Sequence, residues 1–380
     1  MKRIKSDKII LKDKIFSGYV YFENETIFEV SESELPFDTE YDYTGKYVSA
    51  GFIDIHTHGG GGSSFDGTPD EIAAAADFHL SHGSTTIFPT VSAAPIGIME
   101  DATKRIKEGI LSKKSKANIM GAHLEGPYLS AKQAGAQCPD FIKCPDASEY
   151  LPVMEKYGEY IARWSYAPEN DVGGDFCKYI TSKGVVASAG HTDAIYDDMK
   201  LAKENGCNLV THLFSCTSTI TRDHGFRRLG VIETAFLDDD MYVEIIADGK
   251  HLPPELIRLI LKIKGTDKVA LITDSLSLAG TTEKEGIMGA TEYIIEDDVC
   301  KLKDRSAFAG SIATADRLVR VMVNDVGVSL VDAVKMITLV PAKIMNLNKG
   351  ELAKNKDADI VVFDDDINIE SIFVMGNKVN

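Results

Sequence analysis

The chain has 380 residues, which is long enough for one large domain and one small one. Of these residues 44% are apolar and 26% charged, a composition typical of a globular protein. No stretch approaches the roughly 20 consecutive apolar residues of a membrane span, and the charged start MKRIKSDKII lacks the apolar core of a signal peptide. The net charge of −17 disfavours nucleic acid and anionic membranes as partners, and an anionic substrate would need local cations or backbone N–H groups to bind.

Cysteine usage indicates the compartment. The six cysteines are scattered and form no C-x-x-C pair; they are Cys138, Cys144, Cys177, Cys207, Cys216 and Cys300. In a chain of this size, that pattern predicts free thiols in a reducing compartment. We therefore expect a cytoplasmic protein.

Both ends of the chain have short β-branched and aromatic runs that predict strands. These runs are residues 4–11, 14–22 and 26–30 near the start, and 358–363 and 369–375 near the end. Neither end is large enough to bury a core alone. The sequence therefore predicts that they pair into a small β-sandwich domain, residues 1–49 with 346–380.

Between the ends, short apolar runs alternate with longer helical ones, which predicts βα units and a parallel sheet. The predicted strands are 51–54, 85–89, 118–124, 162–167, 185–189, 208–211, 242–247 and 269–273, and the clearest helices are 69–82, 92–111 and 253–263. Eight such units fit an α/β fold of the (β/α)₈ TIM barrel type, here residues 50–345. A doubly wound open sheet is the alternative, although no G-x-G-x-x-G follows the first strand.

Histidines and carboxylates occur where six of the predicted strands end. They are His56 and His58, His123 and Glu125, His191, His212, Asp248 and His251, and Asp274. Active sites of (β/α)₈ barrels lie at the face where the strands end. The sequence therefore predicts that these side chains meet there.

The H-x-H of His56 and His58 predicts a metal site, because residues i and i+2 of an extended segment point the same way. Taken singly, each candidate has a plainer interpretation. The two histidines would be polar loop residues, Glu125 and Asp274 would cap helices, and His191 would be an ordinary buried imidazole. Together, four histidines, a glutamate and an aspartate at strand ends fit one or two divalent ions. By contrast, His79 and His82 are interpreted as helix-surface residues.

At these positions the chain resembles the amidohydrolase superfamily and, within it, the N-acetylglucosamine-6-phosphate deacetylase family. The resemblance spans nearly the whole chain. The matching segments are GFIDIHTHGG (51–60), GAHLEGPY (121–128), SYAPE (165–169), AGHT (189–192), THLF (211–214), IADGKH (246–251), LITDSLSLAG (271–280) and FAGS (308–311). It implies a barrel hydrolase that releases acetate from the sugar nitrogen and leaves glucosamine-6-phosphate.

The resemblance also implies roles for the residues. Glu125, His191 and His212 correspond to the ligands of a metal ion, Zn²⁺ or Fe²⁺, and His56 and His58 to the extra ligands of a second ion. Asp274 corresponds to the catalytic aspartate, which also reaches the metal, and His251 to a catalytic residue that positions the substrate. The fourth strand ends in Ala-Pro-Glu without a lysine, which argues against dihydroorotase-like or urease-like enzymes.

The substrate contacts implied by the resemblance are Ala136, Gln137, Ser215, Cys216, His251, Phe308, Ala309 and Gly310. The chain departs from the family pattern at 215–217, where Ser-Cys-Thr replaces Asn-Ala-Met, and at 221–228. The second segment contains Arg222, Arg227 and Arg228, which suit a phosphate clamp because guanidinium binds phosphate through two hydrogen bonds. A solvated basic loop is the alternative. If all three arginines faced solvent away from the metal, a phosphorylated sugar would be disfavoured.

Three other functions stay open from the sequence. Two keep the chemistry and change the substrate, to another N-acetyl hexosamine phosphate such as N-acetylgalactosamine-6-phosphate or to an N-acyl amino acid. The third is a non-catalytic scaffold, against which the presence of Asp274 beside complete ligands counts. The resemblance further implies a homodimer or homotetramer, with one arginine reaching a neighbouring subunit's phosphate.

Overall fold

The computed structural model describes residues 1–380, and its centre is a barrel of eight parallel strands. These are β1 Phe52–Thr57, β2 Ser84–Val91, β3 Ala122–Glu125, β4 Ile161–Tyr166, β5 Val186–Ala189, β6 Leu209–Val210, β7 Tyr242–Ile246 and β8 Val269–Ile272. Neighbouring strands pair in chain order from β1 to β8. Beyond their ends, β8 and β1 meet where the Asp274 N–H donates to the His56 carbonyl at 2.9 Å. The predicted (β/α)₈ barrel is confirmed.

The strands form where the sequence has runs buried on both faces. All eight residues of β2 and all four of β8 are buried, as expected for parallel strands covered by helices. The predicted strand 118–124 is wrong in one respect, because it breaks into Asn118–Ile119 and β3. Gly121 lies between the two pieces with φ of 143°, a conformation that interrupts a strand and favours glycine.

Ten α-helices surround the barrel. They are α1 Pro69–Ser81, α2 Ile96–Ser112, α3 Ala147–Tyr157, α4 Asp175–Ser182, α5 Tyr196–Glu204, α6 Val231–Leu237, α7 Pro254–Lys264, α8 Ala315–Val321, α9 Leu330–Ile337 and α10 Leu339–Ile344. Helix α1 begins at a capping box of Thr68 and Glu71. Helix α2 begins four residues later than predicted, directly after Pro95. No helix is long and apolar enough to cross a membrane.

The two ends of the chain pair in one sheet beside the barrel. Tyr47–Ala50 lies antiparallel to Ile360–Phe363, with Ser49 opposite Val361. The other strands are Lys2–Ile10, Ile15–Glu23, Thr26–Ser31, Thr39–Asp42, Ile369–Val374 and Asn377–Lys378. Twelve buried apolar residues from both ends form its own core. The hydrogen-bonded strands form a single eight-stranded sheet, and the division at residues 49 and 346 stays a prediction.

Two of the antiparallel structures that were not predicted have strands of three or more residues. A four-stranded sheet comprises Glu285–Met288, Thr291–Glu296, Val299–Leu302 and Phe308–Gly310, and a hairpin pairs Thr221–Asp223 with Phe226–Arg228. Both follow barrel strands as insertions at the face where the strands end. Their short, partly exposed strands carry little apolar periodicity, so the sequence pattern does not reveal them.

The interpretation of His79 as a helix-surface residue is wrong. His79 is fully buried in α1, where its Nε2 lies 2.9 Å from the Gly59 carbonyl and 3.2 Å from Thr57 Oγ1. It therefore links α1 to the segment that carries the H-x-H. His82 is half-buried, with Nδ1 3.3 Å from Asp316.

Burial lowers the pKa of His79 to about 4, so the folded protein keeps this imidazole neutral while the unfolded chain protonates it near pH 6.5. The unfolded state then binds more protons between pH 6.5 and 4, and the free energy of unfolding falls as the pH drops through that window. From pH 7 to pH 5, the free energy of unfolding of His79→Gln should fall by about 2 kcal/mol less than that of the unsubstituted protein. Urea unfolding of both proteins in chelator measures this difference. Equal losses would contradict a neutral buried His79.

Candidate metal centre and active site

The predicted metal ligands converge at the mouth of the barrel. Glu125 Oε1 lies 3.2 Å from His191 Nε2 and 3.1 Å from His212 Nε2. Four ligands at about 2.0–2.2 Å from one tetrahedral ion lie about 3.3–3.6 Å apart, so the observed contacts are within a few tenths of an ångström of the spacing that a shared ion requires. The structure therefore brings together the three ligands expected at the first site.

The remaining predicted ligands extend the same cluster. His58 Nε2 lies 3.2 Å from Glu125 Oε2, and His56 Nε2 lies 3.4 Å from Glu125 Oε1. Asp274 Oδ1 lies 3.5 Å from His56 Nε2 and 3.4 Å from His58 Nε2. Glu125 and Asp274 thus both contact the H-x-H, and the donor set has enough nitrogen and oxygen atoms for two divalent ions.

Hydrogen bonds at the other ring nitrogen orient three of the histidines. His191 Nδ1 donates to the Gln133 carbonyl at 2.9 Å, and His212 Nδ1 donates to the Ser215 carbonyl at 3.0 Å. His58 Nδ1 lies 3.1 Å from Ser92 Oγ. A carbonyl acceptor fixes the proton on Nδ1 and leaves Nε2 with a lone pair for a metal ion. The tautomers of His191 and His212 therefore match the role of metal ligands.

The charges of the cluster favour a cation. Burial lowers the pKa of His56 and of His58, but Glu125 and Asp274 outweigh burial and raise them to about 9 and about 10. Burial in turn raises the pKa of Asp274, yet His56 and His58 bring it well below its usual value. Two ionised carboxylates this deeply buried need positive charge beside them. A divalent ion supplies it, and the unpartnered nitrogens of fully buried His56 also fit one.

Three of the cluster residues have left-handed backbone conformations. His191 has φ of 46°, His212 of 29° and Asp274 of 46°. Each stands two residues after its barrel strand, β5, β6 or β8. Non-glycine residues in this region cost about 1–3 kcal/mol each and collect at functional sites. The sharp turns bring the three side chains into the cluster, a feature that no sequence pattern here predicts.

A cavity of about 240 Å³ opens beside the cluster. Its wall includes every predicted substrate-binding residue except the arginines: Ala136, Gln137, Ser215, Cys216, His251, Phe308, Ala309 and Gly310. It also includes Phe214, Ile246, Met288 and Ala307, which the sequence analysis did not select. Met288, Ala307 and Phe308 belong to the antiparallel sheet that was not predicted. Because that sheet was not predicted, Met288 and Ala307 were not expected to line the cavity.

His251 is held at the cavity wall by Asp248, a strand-end aspartate for which no separate role was predicted. Asp248 Oδ2 lies 2.8 Å from His251 Nδ1, while Asp248 Oδ1 accepts the N–H groups of Lys250 and His251. Burial raises the pKa of Asp248, but these hydrogen bonds from His251 and the backbone bring it below its usual value. The ring centre of Phe308 lies 5.0 Å from that of His251. His251 Nε2 is thus the nitrogen available to a ligand. The D-G-K-H motif was the signal for Asp248.

Gln137 has a contact that the sequence does not predict. Its Nε2 donates to Glu125 Oε2 at 2.8 Å, and its Oε1 accepts the Ala93 N–H at 2.9 Å. The side chain therefore joins the cavity wall to the principal metal ligand. Gln137 orients Glu125 as well as lining the cavity.

The predicted arginine clamp does not form within one chain. The hairpin of Thr221–Asp223 and Phe226–Arg228 is exposed, and none of its arginines lines the cavity. Arg228 pairs with Asp223, and Arg227 donates to the Gly225 carbonyl at 3.1 Å. Antiparallel pairing within the hairpin satisfies its own backbone and directs it to solvent.

A turn of free backbone amides borders the cavity instead. The N–H groups of Cys216 and Thr217 donate no hydrogen bond within the chain. Phe214 and Cys216 have φ of 75° and 51°, the alternation of left-handed residues that gathers successive N–H groups into an anion-binding concavity. This turn occupies the segment where Ser-Cys-Thr replaces the family's Asn-Ala-Met.

Comparison with known proteins identifies the class. The sequence pattern described as "Amidohydrolase family" matches residues 47–380. The match covers most of the chain and includes every residue of the metal cluster. The chain therefore belongs to the amidohydrolase family and is a hydrolase.

Within that class the similar proteins agree. The N-acetylglucosamine-6-phosphate deacetylase of Haemophilus influenzae is 32% identical over 336 residues, covering 85% of this chain and 84% of the relative. The crystal structure of N-acetyl-D-glucosamine-6-phosphate deacetylase from Mycobacterium smegmatis superposes with a TM-score of 0.93 over the whole of both chains at 28% identity. An N-acetylgalactosamine-6-phosphate deacetylase of a Shewanella strain is 29% identical over 339 residues, 88% of this chain and 84% of the relative. The predicted resemblance is confirmed.

Proposed function

We propose that the chain hydrolyses the N-acetyl group of N-acetylglucosamine-6-phosphate to glucosamine-6-phosphate and acetate. The observation that carries this is one cavity wall in which Asp274 and His251 stand beside the cluster of Glu125, His191 and His212. Amide hydrolysis needs an activated water, a stabilised carbonyl oxygen and a proton for the leaving nitrogen. The names of the similar proteins support the choice of substrate.

Each catalytic requirement has a candidate residue. A Zn²⁺ or Fe²⁺ ion bound by the cluster would acidify water and polarise the acetyl carbonyl. Asp274, whose pKa lies well below its usual value, is ionised at neutral pH and can take a proton from water and pass it to the leaving nitrogen. His251, held by Asp248, can donate from Nε2 to the carbonyl oxygen as negative charge develops.

The phosphate needs a binding site that one chain supplies only in part. The cavity wall has no lysine or arginine, so its candidate anion donors include the free N–H group of Cys216, which lines the wall, and that of Thr217, which follows it in the same turn. The exposed hairpin arginines would count against a phosphorylated sugar if the protein acted as a monomer. We infer instead a homodimer or homotetramer in which a hairpin arginine of one copy reaches the cavity of its neighbour. The free cysteines suit a cytoplasmic enzyme of this kind.

N-acetylgalactosamine-6-phosphate is the second candidate substrate. The similarity to the Shewanella enzyme favours it, as does the departure at Ser215 and Cys216, which lie in the cavity wall. No feature of the cavity favours an N-acyl amino acid. A non-catalytic scaffold is disfavoured because the ligand cluster and Asp274 are complete.

An acetate-release assay against N-acetylated sugars with and without the 6-phosphate tests the proposal. We expect N-acetylglucosamine-6-phosphate to have the highest kcat/KM. Replacing Arg222, Arg227 and Arg228 by glutamine should raise KM for the phosphorylated sugars only, because guanidinium binds phosphate rather than the sugar ring. Equal kcat/KM with and without phosphate would exclude the phosphorylated substrate. A higher kcat/KM for the galactosamine isomer would reassign it.

A further inference from the structure

His56 differs from the other histidines of the cluster in its surroundings. His58, His191 and His212 each have a hydrogen-bond partner at Nδ1, but neither nitrogen of His56 has one. His56 is fully buried, so bulk solvent does not reach either of its nitrogens. When Nε2 of a histidine binds a metal ion, Nδ1 carries the proton and needs an acceptor.

The nearest carboxylate oxygen to His56 Nδ1 is Oε2 of Glu244, at 3.7 Å. Glu244 is fully buried in β7 and lies inside the barrel, below the metal cluster. The separation is slightly longer than a hydrogen bond. No acceptor is hydrogen-bonded to that nitrogen in the structure.

Arg163 on β4 holds Glu244 in place. Its NH1 and NH2 groups donate to the two oxygens of the Glu244 carboxylate, the second at 2.9 Å. Its other donors bond Ser188 Oγ at 3.0 Å, Thr211 Oγ1 at 2.8 Å and the Ile55 carbonyl at 3.2 Å. All five N–H donors of this fully buried guanidinium are therefore used. The Glu244 carboxylate accepts two of these five bonds, and the other three fix the guanidinium itself, so the carboxylate has little freedom to leave His56.

We propose that Glu244, held by Arg163, is a positioning residue that accepts the Nδ1–H of His56 and so fixes His56 as a ligand of a second metal ion. This rests on the metal centre of the proposed function. A carboxylate acceptor increases the basicity of the ligating nitrogen and sets the orientation of the ring. Burying an ion pair costs hydration free energy, and apolar residues of similar size would fill the core about as stably. The Arg163–Glu244 pair is therefore better explained by positioning than by stability.

Metal binding tests this without any sugar. Chelator-stripped protein is dialysed against graded free Zn²⁺, and the metal bound per chain is counted by atomic spectrometry. We expect the unsubstituted chain to bind two ions. The double variant R163M/E244M, which leaves no unpaired charge, should bind the second ion about 10–100-fold more weakly and the first ion unchanged. E244Q, which keeps an acceptor oxygen, should show a smaller loss at the second ion only.

The buried pair Lys349–Asp359, 2.7 Å apart at the opposite end of β2, provides the matched control. K349M/D359M should keep both ions whatever it does to the thermal midpoint of unfolding. A folded R163M/E244M with an unchanged second-ion dissociation constant would overturn the proposal. If that variant does not fold, an unchanged second-ion dissociation constant in E244Q would overturn the proposal. Binding of a single ion by the unsubstituted chain would also overturn it. If the variants lose the second ion as expected but the unsubstituted chain releases no acetate, only the enzymatic proposal is refuted.

Discussion

Replacing Asp274 by asparagine should lower kcat by about 10²–10⁴-fold while the protein keeps its first metal ion. Asparagine has nearly the shape of aspartate but cannot accept the proton of water or return it to the leaving nitrogen. The ligands Glu125, His191 and His212 are unaltered by the change, and both histidines lie 3.1–3.2 Å from Glu125 Oε1. The substitution therefore separates proton transfer from metal binding.

Acetate release and atomic spectrometry on the same preparation measure the two effects. Asp66 provides a control, because it is a partly buried carboxyl that lies outside the ligand cluster. D66N should keep kcat within a few-fold while D274N loses it. Near-normal turnover by D274N would remove Asp274 from the proton-transfer role.

Replacing Glu125 by alanine should empty the first metal site and abolish acetate release. Glu125 Oε1 contacts both His191 and His212, and Oε2 contacts His58, so one substitution removes the carboxylate that the histidines share. The remaining imidazoles supply no negative charge to offset a divalent ion. Removing one ligand from a buried site therefore costs both the bond and the charge balance.

Glu169 offers the matched control for Glu125. It follows β4, accepts hydrogen bonds from Thr192 and from the Asp193 N–H, and is not among the possible metal ligands. E169Q should keep the metal content of the unsubstituted protein, whereas E125A should lack the first ion by atomic spectrometry. An E125A protein that holds its metal would show that the first site lies elsewhere.

The sequence predicts the barrel and the ligand cluster because both follow from strand periodicity. Apolar runs buried on both faces mark β2 and β8, and polar residues that directly follow strands must lie at one face of a parallel barrel. His56 and His58 stand two apart in an extended segment, which determines that they point the same way. Glu125, His191 and His212 also follow strands, so the barrel brings them to the same mouth, although the left-handed turns at His191 and His212 that complete the cluster were not predicted.

The rest depends on contacts that have no local signature. His79 has the sequence surroundings of a surface residue on α1, and only the docking of α1 on Gly59 buries it. The hairpin arginines lie in a basic segment whose composition suits an anion clamp, but the hairpin is exposed and Arg228 pairs with Asp223 instead. Asp248 and Gln137 act through His251 and Glu125, and such relations appear only once the side chains are placed.

The proposed metal centre and the hydrolytic function depend on a single cation shared by Glu125, His191 and His212. Anomalous diffraction from crystals of the Zn²⁺-loaded protein, collected on both sides of the zinc absorption edge, locates that ion directly. We predict an edge-dependent peak about 2.0–2.2 Å from Glu125 Oε1 and from the Nε2 atoms of His191 and His212. Zinc found only elsewhere, or no peak among these three side chains, would contradict the metal centre and the hydrolytic function built on it.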